Sequence, residues 1–200
     1  MKIVEAILIA YILGSLPTAV WIGKAFFKTD VRKHGSGNAG ATNTFRVLGW
    51  KAGTLVLLID IAKGWVSVDI ARQLNLAEHW VVLCGIVAII GHILPLFAKF
   101  KGGKGIATSM GIVLALHTKA AVLTLLSFIF FFLASGMVSL GSILAGISFP
   151  IWFLFRFEDA DWSTKVFGIL ISAVIIWTHR KNIIRIIKGT ESRFFGGRKP

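Results

Sequence analysis

The chain has 200 residues, 56% of them hydrophobic, and its mean hydropathy is +0.79. These values lie outside the usual range of soluble domains and predict an integral membrane protein. The net charge is +13, but most of the 16 Phe and 7 Trp residues lie in or beside apolar runs, which argues against a soluble nucleic-acid-binding face. The only cysteine, Cys84, lies in an apolar run, so the chain has no disulfide framework.

Apolar runs predict an all-α, polytopic fold with about seven membrane-spanning helices. The first run is expected to be a retained helix rather than a signal peptide, because further apolar runs follow Pro17. The fourth run is short for a full crossing and could be tilted or partly re-entrant. No repeat or long linker divides residues 1–200, which are expected to form a single domain. The spans are placed near 2–23, 51–70, 79–98, 105–117, 120–136, 139–156 and 163–180.

The distribution of Lys and Arg between these spans predicts the orientation of the chain. Sixteen of these residues, including Arg198 and Lys199, fall on one side, five fall on the other, and Lys63 lies within a span. By the positive-inside rule the N-terminus lies outside and the C-terminus lies in the cytoplasm. The glycine-rich polar stretches then all face the cytosol.

Polar loop 1, residues 36–46, combines glycines with neutral hydrogen-bonding side chains and one arginine. Gly37 and Gly40 allow backbone N–H groups to converge on an anion, and Arg46 adds a planar cation suited to phosphate. An ordinary polar turn is the alternative interpretation. The candidate anion-binding residues are Ser36, Gly37, Asn38, Asn43 and Arg46.

Polar loop 2, residues 101–105, reads Lys-Gly-Gly-Lys-Gly and precedes a predicted helix. Because a helix N-terminus offers N–H groups and a positive dipole end, Gly102, Gly103 and Lys104 predict a second phosphate cradle. The spacing is not that of a Walker A loop. A basic cap at the membrane edge is the alternative, although such a cap needs no glycines.

The C-terminal tail carries His179, Asn182, Arg185 and Glu191. If the last helix continues, the first three lie one turn apart on one face. A histidine beside a phosphate site could take a proton from a hydroxyl. A basic amphipathic helix on anionic lipid is the alternative, and both can hold at once. Glu191, the only acid in the tail, is expected to be a structural ion-pair partner.

Charged residues inside a membrane span are costly, so Asp60 and Lys63 need a partner. They lie one helical turn apart and are expected to form a structural ion pair with each other. His92 and His117 are expected to be packing or boundary residues rather than ligands.

Small residues from Ser139 to Ser148 recur at helical spacing and predict a close helix–helix contact. Ser142 lies at the cytoplasmic mouth of its span and could reach the same pocket as the polar loops. The chain has no His-x4-Asp pattern, no Gly-x-Ser-x-Gly elbow, no dinucleotide fingerprint and no cluster of metal ligands. We therefore expect neither a metal nor a cofactor.

Together, the two polar loops and the tail resemble the three motifs of the bacterial acyl-phosphate:glycerol-3-phosphate acyltransferases. The resembling stretches are Ser36-Gly37-Asn38-Ala39-Gly40-Ala41-Thr42-Asn43, Lys101-Gly102-Gly103-Lys104-Gly105, and His179-Arg180-x-Asn182-Ile183-x-Arg185 with Gly189 and Glu191. The stretches match the family in order, spacing and membrane setting, and the resemblance extends over nearly the whole chain.

The resemblance implies transfer of a fatty acyl group from acyl phosphate to the first hydroxyl of glycerol 3-phosphate. The products would be lysophosphatidic acid and phosphate, at the entry to phospholipid synthesis. It further implies seven transmembrane helices in the bacterial inner membrane and no need for coenzyme A or acyl carrier protein. We expect a monomer among membrane lipids, with no nucleic-acid partner.

We expect Ser36, Arg46 and Lys104 to bind substrate phosphate. Asn43 and Ser142 would complete the pocket, and His179 with Asn182 would orient the attacking hydroxyl. Either His179 or a substrate phosphate oxygen would take the proton.

Two other classes of function predict different sequence features. A transporter of organic phosphates predicts two similar halves and polar residues through the bilayer, and the sequence has neither. A noncatalytic membrane subunit predicts polar loops that tolerate substitution. Neither class explains three polar motifs on one side of the membrane.

Overall fold

The computed structural model describes residues 1–157 and 161–195, and only the backbone of Leu154. Throughout these ranges the regular structure is helical, with no strand, which confirms the predicted all-α class. Arg198 and Lys199, counted in the orientation prediction, lie outside the described residues. The chain divides into two compact units, the first Met1–Leu116 and the second beginning at His117.

The first unit contains six α-helices. Pro17 has no N–H to donate, and the chain bends by 42° between the first two helices. The helices are α1 (Lys2–Gly14), α2 (Thr18–Phe27), α3 (Ala41–Leu48), α4 (Trp50–Gln73), α5 (Glu78–Ile93) and α6 (Ile106–Leu116).

The second unit contains a further four helices within its described residues. The last two are bent by 61° at His179, so the final helix does not simply continue into the tail. The helices are α7 (Thr118–Ser135), α8 (Val138–Phe155), α9 (Trp162–Thr178) and α10 (Arg180–Ile187).

Each predicted span coincides with a helix or, for the first, with the bent pair α1 and α2. By length and apolarity, two segments of the described residues qualify as membrane spans, Glu78–Ala98 and Thr118–Ser135. The number rises to four if each bent pair counts as one span. The seven crossings stay a prediction. Residues 41–46 of polar loop 1 are helical rather than irregular, because they form most of α3.

Backbone-to-backbone contact joins the helices of the first unit. A Cβ on Gly64 would lie 2.1 Å from the carbonyl oxygen of Thr108, and one on Gly111 would lie 1.9 Å from that of Ile61. Helices α4 and α6 therefore approach more closely than any larger residue allows. Helix α1 approaches α5 in the same way at Gly14.

The second unit has an aromatic core and a tight helical hairpin. Gly136, at φ +70°, ends α7 in the left-handed conformation that favours glycine. Helices α8 and α9 are joined by the Ser172 hydroxyl, which donates to the carbonyl of Gly146 at 2.6 Å. Phe149 and Phe167 are fully buried, with ring centroids 6.1 Å apart.

The C-terminal segment returns to the turn between α7 and α8. The backbone N–H of Phe194 donates to the carbonyl of Gly136 at 2.7 Å. The rings of Phe194 and Phe195 lie 5.7 Å and 5.0 Å from that of Phe132. These contacts fix the segment that carries Glu191.

Candidate functional site

Asn43 organises polar loop 1 from inside. Its side chain is buried, and its amide nitrogen donates to the carbonyls of Val31 at 2.8 Å and His34 at 3.1 Å. Its amide oxygen accepts from the backbone N–H of Ser36 at 2.8 Å. A Cβ on Gly35 would lie 2.4 Å from that oxygen, so the loop closes around Asn43. Asn43 thus shapes the loop through its side chain.

The outer surface of polar loop 1 is polar and cationic. Ser36 and Arg46 are exposed, and Asn38 is half-buried. A Cβ on Gly35 would lie 3.4 Å from Cδ of Arg46, which places the arginine stem beside the residue that precedes Ser36. Gly37 has φ +73°, a conformation that L side chains rarely adopt. Ser36 and Arg46 therefore belong to one open surface suited to an anion.

Polar loop 2 folds back onto the end of α5. The N–H of Gly102 donates to the carbonyl of Ile93 at 3.2 Å, and the N–H of Gly103 donates to that of His92 at 3.1 Å. These donors satisfy carbonyls that the helix end leaves without intrahelical partners. Both N–H groups are therefore engaged within the protein, where sequence reasoning expected them to face an anion. Lys104, half-buried, follows directly.

His92 explains why residue 103 is glycine. A Cβ on Gly103 would lie 2.2 Å from Nε2 of His92, whose ring is 6% exposed. Nδ1 of His92 faces Asp60 Oδ1 at 3.8 Å and has no hydrogen-bond partner. The histidine is a packing residue, as the sequence suggested, and its ring forms the surface on which polar loop 2 lies.

Asp60 and Lys63 form a buried ion pair in α4. Lys63 Nζ lies 2.8 Å from Asp60 Oδ1, and both side chains are nearly inaccessible. Lys63 also donates to the carbonyl of Leu16 at 3.0 Å, and Thr18 donates to Asp60 at 3.0 Å. The pair thus holds the bend between α1 and α2 in place. Each charge also has an oppositely charged partner, as a charge within a membrane span requires.

Arg32 connects the segment before polar loop 1 with the turn that begins polar loop 2. Its Nε and NH2 donate to the two carboxylate oxygens of Asp30 at 3.0 Å and 2.7 Å. Its NH1 donates to the carbonyls of Ala98 at 2.9 Å and Lys101 at 3.4 Å. The hydrogen bond from Arg32 lowers the pKa of Asp30 from 3.8 to about 2, so Asp30 is charged at neutral pH.

In the second unit, Glu191 gathers three side chains. Its Oε1 accepts from the Ser139 hydroxyl and the Asn182 amide, both at 2.7 Å. Its Oε2 accepts from Nε of Arg185 at 2.6 Å. Burial raises the pKa of Glu191, but the hydrogen bonds from Ser139, Arg185 and Asn182 outweigh it and hold the pKa below its ordinary value. Glu191 is an ionised anchor for α8 and α10.

His179 lies at the bend between α9 and α10. It is 2% exposed, and its Nδ1 lies 2.9 Å from the carbonyl oxygen of Ile175. Because a carbonyl only accepts, Nδ1 carries the proton of the neutral ring and Nε2 is the basic nitrogen. Asn182 follows three residues later in α10 and is also buried.

Ser142 lies one helical turn beyond Ser139 in α8. Its hydroxyl donates to the carbonyl of Val138 at 2.8 Å, and its side chain is buried. The oxygen retains acceptor capacity after this donation. The structure thus brings Ser139, Asn182, Arg185 and Glu191 together, with His179 and Ser142 one turn away along their helices.

The sequence alone does not reveal the roles of Arg32 and Ser139. Arg32 is one of sixteen basic residues on its side of the predicted topology, and Ser139 is one of several small residues at helical spacing. Asp30 was an available signal, since it is the only acid between Glu5 and Asp60 and has four cations within six residues. No group of three or more His, Cys, Asp or Glu suited to a metal occurs within 1–157 and 161–195.

Comparison with known proteins shows similarity along nearly the whole chain. A family model described as glycerol-3-phosphate acyltransferase matches residues 4–189. A glycerol-3-phosphate acyltransferase from Listeria monocytogenes serovar 1/2a is 46% identical over 188 residues, covering 93% of each chain. One from Enterococcus faecalis is 43% identical over 204 residues, covering 98% of this chain and 94% of the relative.

Two crystal structures of PlsY (YgiH), an integral membrane glycerol 3-phosphate acyltransferase, share the fold. Both are 36% identical to this chain and cover 98% of it and 96% of their own length. The TM-score is 0.92 for the glycerol 3-phosphate form and 0.89 for the lysophosphatidic acid form.

Proposed function

This chain belongs to the glycerol-3-phosphate acyltransferase family, and from that we propose that it uses acyl phosphate to acylate the sn-1 hydroxyl of glycerol 3-phosphate. It is an integral membrane acyltransferase. The observation that carries the proposal is the surface of polar loop 1, where Ser36 and the exposed Arg46 lie around the Asn43 anchor. The solved relative is described in a glycerol 3-phosphate form and a lysophosphatidic acid form. These two molecules are the acyl acceptor and the product of the proposed reaction.

The proposed reaction forms one ester bond and breaks one mixed-anhydride bond. The sn-1 oxygen attacks the acyl carbonyl carbon, and the bond from that carbon to the phosphate oxygen breaks. The products are 1-acyl-glycerol 3-phosphate and inorganic phosphate. Because phosphate is a stable leaving group, positioning and charge neutralisation supply most of the catalysis. Cations and amide donors suit this task better than carboxylates.

We assign the predicted residues of the first unit to two tasks. Ser36, Arg46 and Lys104 contact substrate phosphate, with Gly37 and Asn38 lining the same loop. Asn43, Gly102 and Gly103 shape the two loops, since their hydrogen-bonding groups are engaged within the protein.

In the second unit, His179 and Asn182 orient the attacking hydroxyl, with Ser142 as a further polar contact. Glu191 holds Asn182 and Arg185 at fixed distances, which supports its assignment as a structural residue. The basic Nε2 of His179 is one acceptor for the hydroxyl proton, and a phosphate oxygen of the substrate is the other. We propose that both units serve one acyltransferase domain.

We also propose that the enzyme is a monomer with seven membrane crossings in the bacterial cytoplasmic membrane. The N-terminus would lie outside, and the polar loops and the C-terminus would face the cytosol. The unequal distribution of Lys and Arg supports this orientation.

Release of inorganic phosphate by the purified protein in lipid tests the proposal. Given palmitoyl phosphate and glycerol 3-phosphate, the wild type should release phosphate only when both substrates are present. Lys104→Ala should lower the rate on the order of 10²-fold, because one charge that stabilises the transition state is lost. Lys101→Ala is the matched control, an exposed lysine of the same loop whose loss should leave the rate near that of the wild type.

Three results would contradict parts of the proposal. Turnover with coenzyme A or carrier-protein thioesters but not with acyl phosphate would overturn the donor. Flux of organic phosphate into liposomes without acylation would favour the transporter. Equal effects of Lys104→Ala and Lys101→Ala would remove Lys104 from the site. A loss of rate in His179→Ala much larger than in Asn182→Ala, which also orients the hydroxyl, would favour His179 over the substrate phosphate as the proton acceptor.

A further inference from the structure

Arg32 binds the backbone of a turn that leads directly to Lys104. Its NH1 donates to the carbonyls of Ala98 and Lys101, at the two ends of that turn. We propose that Arg32 is a positioning residue, which holds the Ala98–Lys101 turn in place and thereby sets the position of Lys104. This inference rests on the proposed function, in which Lys104 contacts substrate phosphate.

The turn has a backbone conformation that needs support. Lys99 and Phe100 are consecutive non-glycine residues with φ +55° and +57°. Side chains disfavour this left-handed region, and such residues persist where surrounding contacts fix them. The backbone N–H groups of Phe100 and Lys101 donate to the carbonyls of Pro95 and Ala98. From outside the turn, the Arg32 side chain donates hydrogen bonds to the carbonyls on either side of the strained pair, those of Ala98 and Lys101.

The other end of the turn is anchored by α5. Directly after Lys101, the N–H groups of Gly102 and Gly103 donate to the last carbonyls of that helix. The turn is therefore held between the guanidinium and the helix end, with Lys104 next in the chain. If the guanidinium is lost, the strained pair can relax and shift Lys104. A displacement of about 1 Å at a reacting group costs on the order of 10²-fold in rate.

The geometry requires an arginine rather than any cation. Nε and NH2 occupy both oxygens of Asp30, and this pairing directs NH1 at the two carbonyls. A lysine carries its three N–H donors on one nitrogen and cannot span the distance from the carboxylate to both carbonyls. Arg32 is also less exposed than its neighbour Lys33, which lies in the same 3-10 turn, Val31–Lys33. Lys33 is thus a matched control for charge.

Two measurements on Arg32→Gln, Arg32→Lys and Lys33→Gln in lipid nanodiscs test the inference. Amide hydrogen exchange over residues 98–105 should become at least about tenfold faster in both Arg32 variants, because the turn opens more often, and should not change in Lys33→Gln. The kcat/KM for phosphate release should fall about 10-fold to 100-fold in both Arg32 variants. Arg32→Lys keeps the positive charge but should restore neither the slow exchange nor the wild-type kcat/KM.

Unchanged exchange over 98–105 in Arg32→Gln would overturn the inference, and so would a wild-type rate in Arg32→Lys. A wild type that does not turn over acyl phosphate would instead contradict the proposed function, and the exchange result would still decide the role of Arg32. If Arg32→Gln does not fold, Asp30→Asn takes its place, because loss of the carboxylate releases the guanidinium. Asp30→Asn should then show the same faster exchange.

Discussion

Two buried polar side chains, Asn43 and Glu191, each satisfy three hydrogen-bonding groups. Both were singled out from the sequence, Asn43 as a pocket residue and Glu191 as an ion-pair partner. Their partners were not predicted, because Ser139 lies 52 residues from Glu191 and spacing carries no information about such contacts. A carboxylate or amide in a polar stretch can be read from the sequence, but the groups that it binds depend on the tertiary fold.

Replacing Asn43 should destabilise polar loop 1. In Asn43→Ala the buried carbonyl of Val31 loses its partner, at a cost of about 1–3 kcal/mol. The carbonyl of His34 and the N–H of Ser36 also lose theirs, at a smaller cost because water reaches them. Thermal unfolding in detergent should show a lower Tm, and phosphate release should fall. Thr42→Ala, at an exposed neighbouring position of α3, should change neither. A Tm of Asn43→Ala equal to that of Thr42→Ala would contradict the anchor.

Glu191 should make the stability of the protein depend on acidic pH. Its pKa in the folded protein lies below the ordinary value of 4.5, so its contribution is complete above that pH. The contribution is lost as the pH falls through the folded pKa. The Tm difference between wild type and Glu191→Gln should therefore be large at neutral pH and shrink below about pH 4.5. A difference that grows on acidification would show that the folded pKa is raised instead.

At the scale of elements, the helices follow the hydrophobic pattern closely. Predicted spans near 51–70, 120–136 and 163–180 correspond to α4, α7 and α9. The helical part of polar loop 1 and the bend at His179 were not predicted, because the short helices α3 and α10 lie in polar stretches without long apolar runs. Close glycine contacts such as Gly111 on Ile61 also escape the sequence, since they depend on which helices become neighbours.

Polar loop 2 offers a test of why its glycines are present. Gly103→Ala places a methyl group against the ring of His92 and should destabilise the protein by about 1–3 kcal/mol, as overpacking does. In a His92→Ala background the ring is gone, so the same substitution should cost less. A double-mutant cycle of Tm and phosphate release measures this coupling. A stable but inactive Gly103→Ala would instead favour direct contact between Gly103 and substrate.

At the scale of the whole molecule, the orientation in the membrane is the prediction most open to test. In a Cys84→Ala background, we expect Gln73→Cys to react with an impermeant thiol reagent in intact cells. Lys33→Cys should react only after the cells are permeabilised, because it follows α2 on the basic side. Both residues are exposed. The opposite labelling pattern would reverse the topology.

The buried ion pair of Asp60 and Lys63 restricts how this chain can change over generations. Replacing either residue alone leaves an uncompensated charge in a nearly inaccessible site, at a cost of about 3–5 kcal/mol. Replacing both with apolar residues of similar volume removes the two charges together and should cost less, since only the Thr18 hydroxyl and the Leu16 carbonyl then lose a partner. The two positions are therefore expected to be inherited and lost as a pair, since a lineage that changes one first must pass through a weakly stable ancestor.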